Sequence, residues 1–293
     1  MAGSFLSRRL LRFLPDQSKN TSNNDVSRRH AWRSEVGVRL IVPLCMLIGV
    51  IIWQLAVPAS GAVSLLLPRP SAILGRFASV VTDGELFGDI GTTAIEIGLG
   101  FLLGVGVAFL LGYAIARNHT LEKMTGPYIV AFQALPIVAL APALILWLGP
   151  GVMSNSIICA FIVFFPMLVS TITGMKGIER DQLTLMRSFA ANTWQTFRWL
   201  ELPASLPTLF GGLRISVTLA VAGAVVAESV TPVGGLGSLL YEARSQYDSP
   251  LAFVSVISLI AFTLILYGAV TLLERHVLIG RNVRRSPLNS DLR

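Results

Sequence analysis

Few residues in the long apolar stretches of this sequence could do acid–base or metal chemistry. Two carboxylates stand within these stretches, Glu96 and Glu228. The three histidines all lie outside them, at His30, His119 and His276, whereas the two cysteines, Cys45 and Cys159, lie inside and are typical of small buried hydrophobes. The sequence therefore contains neither a nucleophile with its base nor a cluster of metal ligands, and it disfavours an intramembrane enzyme.

The two carboxylates have different expected roles. Glu96 stands near the start of an apolar stretch, so we expect it to reach the membrane interface. Glu228, near the end of another stretch, either lines a translocation cavity or holds the loop that follows. No series of carboxylates and histidines crosses an apolar stretch, so a proton-coupled secondary carrier would lack its usual relay.

The composition is that of a membrane protein. Hydrophobic residues make up 53% of the 293 residues and charged residues only 13%, with a mean hydropathy of +0.69. A soluble chain needs about a quarter charged residues to cover its surface, which excludes an ordinary soluble enzyme.

A membrane-spanning helix needs about 20 mostly apolar residues. Six segments meet this requirement and predict an all-α, polytopic protein with six transmembrane helices: 39–58, 92–116, 127–149, 153–174, 206–230 and 251–273. The divisions predicted around them are a basic segment 1–38, a membrane domain 39–276 with an internal loop 175–205, and a tail 277–293. Between the first two spans, residues 59–91 favour a short helix along the outer surface.

The distribution of positive charge predicts the orientation. Of the 23 lysines and arginines, 20 fall in the two terminal segments and two of the connections, whereas Arg69, Arg76 and Arg244 fall on the opposite side. Short cytoplasmic segments retain positive charge, so we expect both termini in the cytoplasm. This topology also accounts for an isoelectric point near 10, so nucleic acid is not an expected partner.

Two of the spans have distinctive patterns. The second places Gly100, Gly104, Ala108 and Gly112 at four-residue spacing, which favours close packing against a neighbour over a sliding contact. The third contains Pro136 and Pro142, which predict a helix bent twice. Freed backbone carbonyls are tolerated only beside protein or a water-filled cavity, so this span is expected beside a pathway. The candidate pathway residues are Gln133, Pro136, Trp147 and Glu228.

The loop 175–205 predicts a helix, a turn and a second short helix. Asn192 or Thr193 can cap the second helix, and Pro203 with Pro207 is expected to end it before the next span. Trp194, Phe197 and Leu200 fall on one face of this helix. Such an apolar face needs cover, either from the protein itself or from a docked partner.

The loop resembles that of the membrane subunits, or permeases, of binding-protein-dependent ATP-binding cassette importers. That family's loop has Glu-Ala-Ala, three residues, Gly, nine residues, Ile, one residue and Leu-Pro. Counted back from Leu202-Pro203, the spacing is kept, but Leu200 replaces the Ile, Ala190 the Gly, and Thr184-Leu-Met the Glu-Ala-Ala. The resemblance extends over about residues 70–276 and includes these further segments: Ala134-Leu-Pro, Leu146-Trp-Leu-Gly, Ala227-Glu-Ser, Gly235-Leu-Gly and Leu273-Glu-Arg.

The resemblance implies a type I importer permease that works by alternating access, paired with a second permease copy, two ATPase subunits and an external solute-binding protein. The short helix of the loop would be the coupling helix that docks on the ATPase. Its contact residues would be Ala190, Ala191, Asn192, Thr193, Trp194 and Gln195, with Leu202, Pro203 and Pro207 setting its angle to the fifth span. No Gly-Lys dipeptide of a P-loop exists here, so ATP, and any cofactor role for it, is expected on the partner subunits.

The remaining alternative is a secondary carrier or channel, whose sequence would be expected to contain an internal repeat and charges at the membrane midplane. Neither is present in the sequence. The subgroup that it resembles imports sulfonates, taurine, nitrate, thiamine precursors or riboflavin. Because the spans are poor in oxygen and sulfur ligands, a small organic solute fits better than a metal ion. The region around Asp248-Ser-Pro-Leu slightly favours a thiamine precursor or riboflavin.

Overall fold

The computed structural model of the chain describes Ile41 and residues 43–57, 66–231 and 233–279. All regular elements within these ranges are helices, which confirms the all-α prediction. The expectations for the basic segment 1–38 and for most of the tail 277–293 lie outside the described residues. Residues up to Ser64 form a unit of their own, and its described part contains helix α1, Pro43–Ala56, within the first predicted span.

The second unit, from Leu65 onward, contains the other helices. They are α2 Pro70–Thr82, α3 Glu85–Arg117, α4 His119–Gln133, α5 Ile137–Leu148, α6 Val152–Lys176, α7 Arg180–Ser188, α8 Thr193–Thr196, α9 Leu202–Val230, α10 Leu236–Ser245 and α11 Ser249–Ile279. By length and composition, four helical stretches among the described residues can cross a membrane: α3, α6, Thr193–Val230 and α11. Helix α2 is the short helix predicted before the second span.

Close packing of α3 on α6 forms the centre of this unit, since these two helices share the most extensive contact. A Cβ atom added at Gly100 would lie 2.5 Å from the carbonyl oxygen of Ser156, and one at Gly104 would lie 2.6 Å from that of Ala160. A Cβ atom at Gly112 would lie 2.7 Å from the side chain of Thr171, and Ala108 is fully buried. The glycine stripe therefore lets the two backbones touch, as the packing interpretation predicts.

Helix α9 also packs on α6. Cys159 and Val163 of α6 share a buried cluster with Ala220 and Ala224 of α9. Small residues again allow a close approach, because a Cβ atom at Gly212 would lie 2.4 Å from that of Ser170. Helix α11 covers α9 in turn, and Arg214 forms an ion pair with Glu274 across this contact.

The third predicted span is not one bent helix. Helix α4 ends at Gln133 and α5 begins at Ile137, so the single helix predicted over 127–149 is wrong. Pro136 has no amide hydrogen to continue the helical hydrogen bonds, and its ψ of 88° lies outside the α-helical region. Pro142 lies inside α5, so of these two prolines only Pro136 lies at the break between the helices.

A pair of glycine substitutions tests the seam between α3 and α6. Gly104→Val adds a branched side chain where the backbone of α6 already lies, and we expect it to cost about 1–3 kcal/mol of stability through overpacking. Gly106→Val is the matched control, since a Cβ atom at Gly106 meets nothing within 4 Å. Thermal unfolding of the two purified variants in detergent should show a lowered Tm for the first alone. An equal loss in both would contradict the packing role.

Candidate functional site

The loop between α6 and α9 folds as a helix, a turn and a second helix. Helix α7 ends at Ser188, and Ala190 then adopts a left-handed conformation with φ of 53°, which turns the chain. Ala190 occupies the position of the glycine in the family pattern. A glycine suits this position, since it adopts positive φ without strain. The structure therefore confirms the predicted turn and shows an alanine held in the backbone conformation that the pattern's glycine suits.

Helix α8 begins with a complete capping box. The Asn192 side chain accepts a hydrogen bond from the amide of Gln195 at 2.8 Å, and the Gln195 side chain accepts one from the amide of Asn192, also at 2.8 Å. These bonds satisfy two amides that the start of a helix leaves without partners. Of the two predicted capping residues, Asn192 has the role, and Thr193 is the first helical residue.

Helix α8 does not stop at the prolines. Residues Phe197–Glu201 form one π-helical turn that continues directly into α9, so the helix runs from Thr193 to Val230. Pro203 follows the π-helical turn directly, as the second residue of α9, and Pro207 is accommodated inside α9. The expectation that Pro203 and Pro207 end the short helix is therefore wrong, and Leu202 begins α9 with no loop before it.

The aromatic face of α8 is only partly covered by the protein itself. The Phe197 ring packs edge-on against Tyr113 of α3 at 5.0 Å and beside Trp194 at 5.6 Å. Trp194 remains 63% exposed, and Ala190, Asn192, Thr193 and Gln195 are exposed as well. Self-packing therefore accounts for Phe197, whereas the Trp194 side stays open to a partner.

An ion pair joins this region to α3. A nitrogen of the Arg117 guanidinium lies 2.7 Å from Glu201 Oε2, and the Tyr113 hydroxyl donates to the same oxygen at 3.1 Å. The guanidinium also lies over the Tyr113 ring, 5.2 Å from its centre. Glu201 is buried, so both donors compensate its lost hydration. A cavity of about 400 Å³ adjoins the pair and reaches Leu183, Arg187 and Ala191 of the loop.

A second ion pair fixes the start of α4 beside the end of α6. The Lys176 ammonium pairs with Glu122, which also approaches His119. The lysine holds the pKa of the Glu122 carboxyl below its usual range. This pair lies on the surface, so its contribution to stability is small.

At the opposite end of α3 and α9 lies a buried group of side chains that we call the polar cluster: Thr93, Glu96, Asn155, Glu228 and Thr231. Asn155 Nδ2 donates to Glu96 Oε1 at 2.8 Å, and the Thr231 hydroxyl donates to Asn155 Oδ1 at 3.0 Å. The Thr93 hydroxyl donates to Glu228 Oε1 at 2.7 Å. Because Glu96 is fully buried here, the expectation that it reaches the membrane interface is wrong.

The polar cluster holds the turn between α9 and α10. The amide of Gly237 donates to Glu228 Oε2, the amide of Leu236 to Thr93 Oγ1 at 2.9 Å, and the amide of Gly235 to Asp89 Oδ1 at 2.8 Å. A Cβ atom at Gly235 would lie 2.4 Å from the Glu228 carboxyl carbon. Of the two roles left open for Glu228, these contacts support that of holding the following loop.

The four candidate pathway residues do not form one group. Gln133 and Pro136 are exposed at the break between α4 and α5, and Trp147 is 81% exposed near the end of α5. Glu228 is buried against α3 and α10. A cavity of about 500 Å³ lies beside Glu228 and is lined by polar groups that include Asp89, Ser238 and Glu242.

Sequence reasoning missed several residues that the structure brings together. Asp89 and Thr93 precede Glu96 at three- and four-residue spacing on one face of α3, which is the signal that could have identified them. Asn155, Thr231 and Tyr113 have no such pattern, since their partners lie on distant segments of the chain.

Comparisons with known proteins agree with this architecture. Residues 100–279 match the family described as "Binding-protein-dependent transport system inner membrane component". The "Riboflavin transport system permease protein RibX" of Chloroflexus aurantiacus is 39% identical over 80% of this chain and 87% of its own length. The "Formylaminopyrimidine transport permease protein ThiX" of Halalkalibacterium halodurans is 31% identical over 80% and 93%.

A sulfonate permease is similar at lower identity. The "Putative aliphatic sulfonates transport permease protein SsuC" of Bacillus subtilis is 29% identical over 87% of this chain and 90% of its own length. Among solved structures, an inward-facing MetNI methionine ABC transporter has a TM-score of 0.61 at 16% identity, covering 67% of this chain and 97% of that one. This likeness supports the type I permease fold. Since the family match spans more than half of the chain, the protein belongs to the inner membrane components of binding-protein-dependent transport systems, the permease subunits of ATP-binding cassette importers.

Proposed function

We propose that this permease couples ATP hydrolysis to solute import through α8, which docks on a separate ATPase subunit. The capped, exposed helix around Trp194, continuous with the long helix α9, is the observation that carries this proposal. The contact would involve Ala190, Ala191, Asn192, Thr193, Trp194 and Gln195, with Leu202, Pro203 and Pro207 at the junction with α9. A rigid tryptophan on an ordered helix offers large contact area at a low entropic cost.

Displacement of α8 would reach two spans directly. Through the π-helical turn it is continuous with α9, and through Glu201 it is tied to Arg117 of α3. Closure of the ATPase subunits would therefore move α3 and α9 together. Such a joint movement of two spans could switch the permease between its inward-open and outward-open states. The protein itself would bind no nucleotide, since ATP would be held by the partner subunits.

The assembly would contain two copies of this chain, two ATPase subunits and an external solute-binding protein. Positive charge at both termini and in the α8 region favours a cytoplasmic location for all three. The break between α4 and α5, with Gln133, Pro136 and Trp147, remains the proposed pathway segment. A non-helical backbone at membrane depth needs protein or water beside it, which supports that position.

The solute would be a small organic molecule, with a flavin or a pyrimidine favoured over a sulfonate. The relatives named for riboflavin and formylaminopyrimidine transport are 39% and 31% identical, against 29% for the sulfonate permease. None of the described residues forms a cluster of three metal-ligating side chains, which gives no support to a metal ion as the solute.

Replacing Trp194 tests the docking surface. Trp194→Ala removes the exposed ring but leaves the capping box intact, so we expect the ATPase subunit recovered with the tagged permease to fall about tenfold. Trp199→Ala is a matched control, because Trp199 is 71% exposed but lies outside the face formed by Trp194 and Phe197. Full recovery of the ATPase with the first variant would refute the docking site. Transport without any ATPase would instead favour the secondary carrier.

Neutralising Glu201 tests transmission from α8 to α3. Glu201→Gln removes the charge from hydrogen bonds to a buried carboxylate, each worth about 1.5–3 kcal/mol. ATP hydrolysis should persist, while the amount of solute moved per ATP should fall. Reconstituted complexes allow both rates to be measured together. Arg117→Gln should have the same effect, and the double variant should be no worse than either single one. Glu179→Gln, at an exposed position of the same loop, serves as the control.

A competition between solutes tests the proposed substrate class. Cells that lack this chain should lose uptake of labelled riboflavin or of a thiamine-type pyrimidine while taurine uptake stays unchanged. Restoring the wild-type chain, but not the Trp194→Ala variant, should return the lost uptake. Selective loss of taurine uptake would overturn the preference for a flavin or pyrimidine without affecting the assignment to importers.

A further inference from the structure

The hydrogen bonds around Glu228 mark it as the charged member of the polar cluster. The Thr93 oxygen already accepts the Leu236 amide, so its own hydrogen is directed to Glu228 Oε1. The Gly237 amide donates to Oε2. Both oxygens thus face donors, which is the arrangement that a carboxylate requires.

Glu96 has the opposite arrangement. Its Oε1 accepts from Asn155 Nδ2, and Asn155 Oδ1 accepts the Thr231 hydroxyl. Its Oε2 is buried and receives no donor from the described residues. Thr93, three residues before Glu96 on α3, donates to Glu228, and Thr231, three residues after Glu228, reaches Glu96 through Asn155, so the two carboxyl groups are brought together. A hydrogen on this oxygen would therefore have an acceptor directly available.

Ionising both Glu96 and Glu228 would cost much free energy. Both side chains are almost completely buried, and none of the ion pairs among the described residues includes either one. Adjacent carboxylates without a cation cannot both stay ionised in such surroundings, and sharing one proton removes the repulsion.

We propose that Glu96 is a neutral acid that donates its proton from Oε2 to the Glu228 carboxylate, and that this shared proton fastens α10 to α3, α6 and α9. Glu96 is then a positioning residue that acts through Glu228. The remaining charge on Glu228 holds the Gly237 amide, and the glycines at 235 and 237 leave room for the carboxylate. This assignment goes beyond the proposed docking of α8 on an ATPase subunit. Of its tests, only the transport assay rests on that proposed function.

Paired amide substitutions distinguish the two roles. In Glu96→Gln, the amide nitrogen can donate to Glu228 while the amide oxygen still accepts from Asn155, so transport should stay within about twofold of wild type. Glu96→Leu, which cannot donate, should reduce transport about tenfold. Glu228→Gln should do the same, because its NH₂ group would face the Thr93 or Gly237 donor. Glu85→Gln, an exposed change at the start of α3, is the control and should have no effect.

Infrared spectroscopy of the purified complex tests the proton directly, without any transport assay. At neutral pH the wild type should show the C=O band of a protonated carboxyl group that shifts in D₂O. This band should disappear in Glu96→Gln and persist in Glu85→Gln. Persistence of the band in Glu96→Gln would overturn the proposal.

A transport loss in Glu96→Gln as severe as that in Glu228→Gln would also overturn it. The oxygens of the polar cluster offer one other way to balance the charge, a bound monovalent cation. If sodium raised the Tm of the wild type but not that of Glu96→Gln, with no protonated band present, the cation would replace the proton.

Discussion

Helix α9 is tied to α3 at both ends by a glutamate, and the rest of the architecture depends on these two attachments. At one end Glu201 accepts from Arg117 and Tyr113, and at the other Glu228 accepts from Thr93. A buried carboxylate that loses its donors is left uncompensated in a low dielectric, so each attachment is much more costly to break than an exposed pair. The two helices are therefore expected to move as one body.

The two attachments sit at functionally different places. The Glu201 end is continuous with α8, where Trp194 is exposed, and the Glu228 end holds the turn that leads into α10. Both glutamates belong to one helix of 38 residues, from Thr193 to Val230, which spans about 57 Å at 1.5 Å per residue. It is long enough to connect a partner bound on one side of a membrane with a turn on the other.

The seam between α3 and α6 makes the polar cluster feasible. Gly100 and Gly104 bring the two backbones into contact, and this places Asn155 of α6 within 2.8 Å of Glu96 of α3. With larger side chains in the seam, Asn155 would be held away and the Glu96 carboxyl would lose its amide partner. The glycines in the middle of α3 thus permit the hydrogen bond between Asn155 and Glu96 near one end of the two helices.

Much of the fold follows from local sequence. Apolar stretches of the required length specified the helices α3, α6 and α11, and the polar residue Asn192, three residues before Gln195, specified the cap of α8. The glycine spacing in α3 specified a packing face. These features depend on periodicity, length and capping chemistry, which a single segment contains within itself.

Other features were decided only by contacts between distant segments. Whether Pro203 and Pro207 stop a helix depends on whether a π-helical turn and neighbouring helices accept them, and here they do. Likewise, Glu96 has the sequence context of an interfacial residue, but it lies buried in the polar cluster, where Asn155 donates to it. The sequence by itself determined which segments are helical and apolar, because those properties are local. Only the tertiary structure decided which buried polar groups meet, because a carboxyl group in the membrane takes whichever donor the packing brings near.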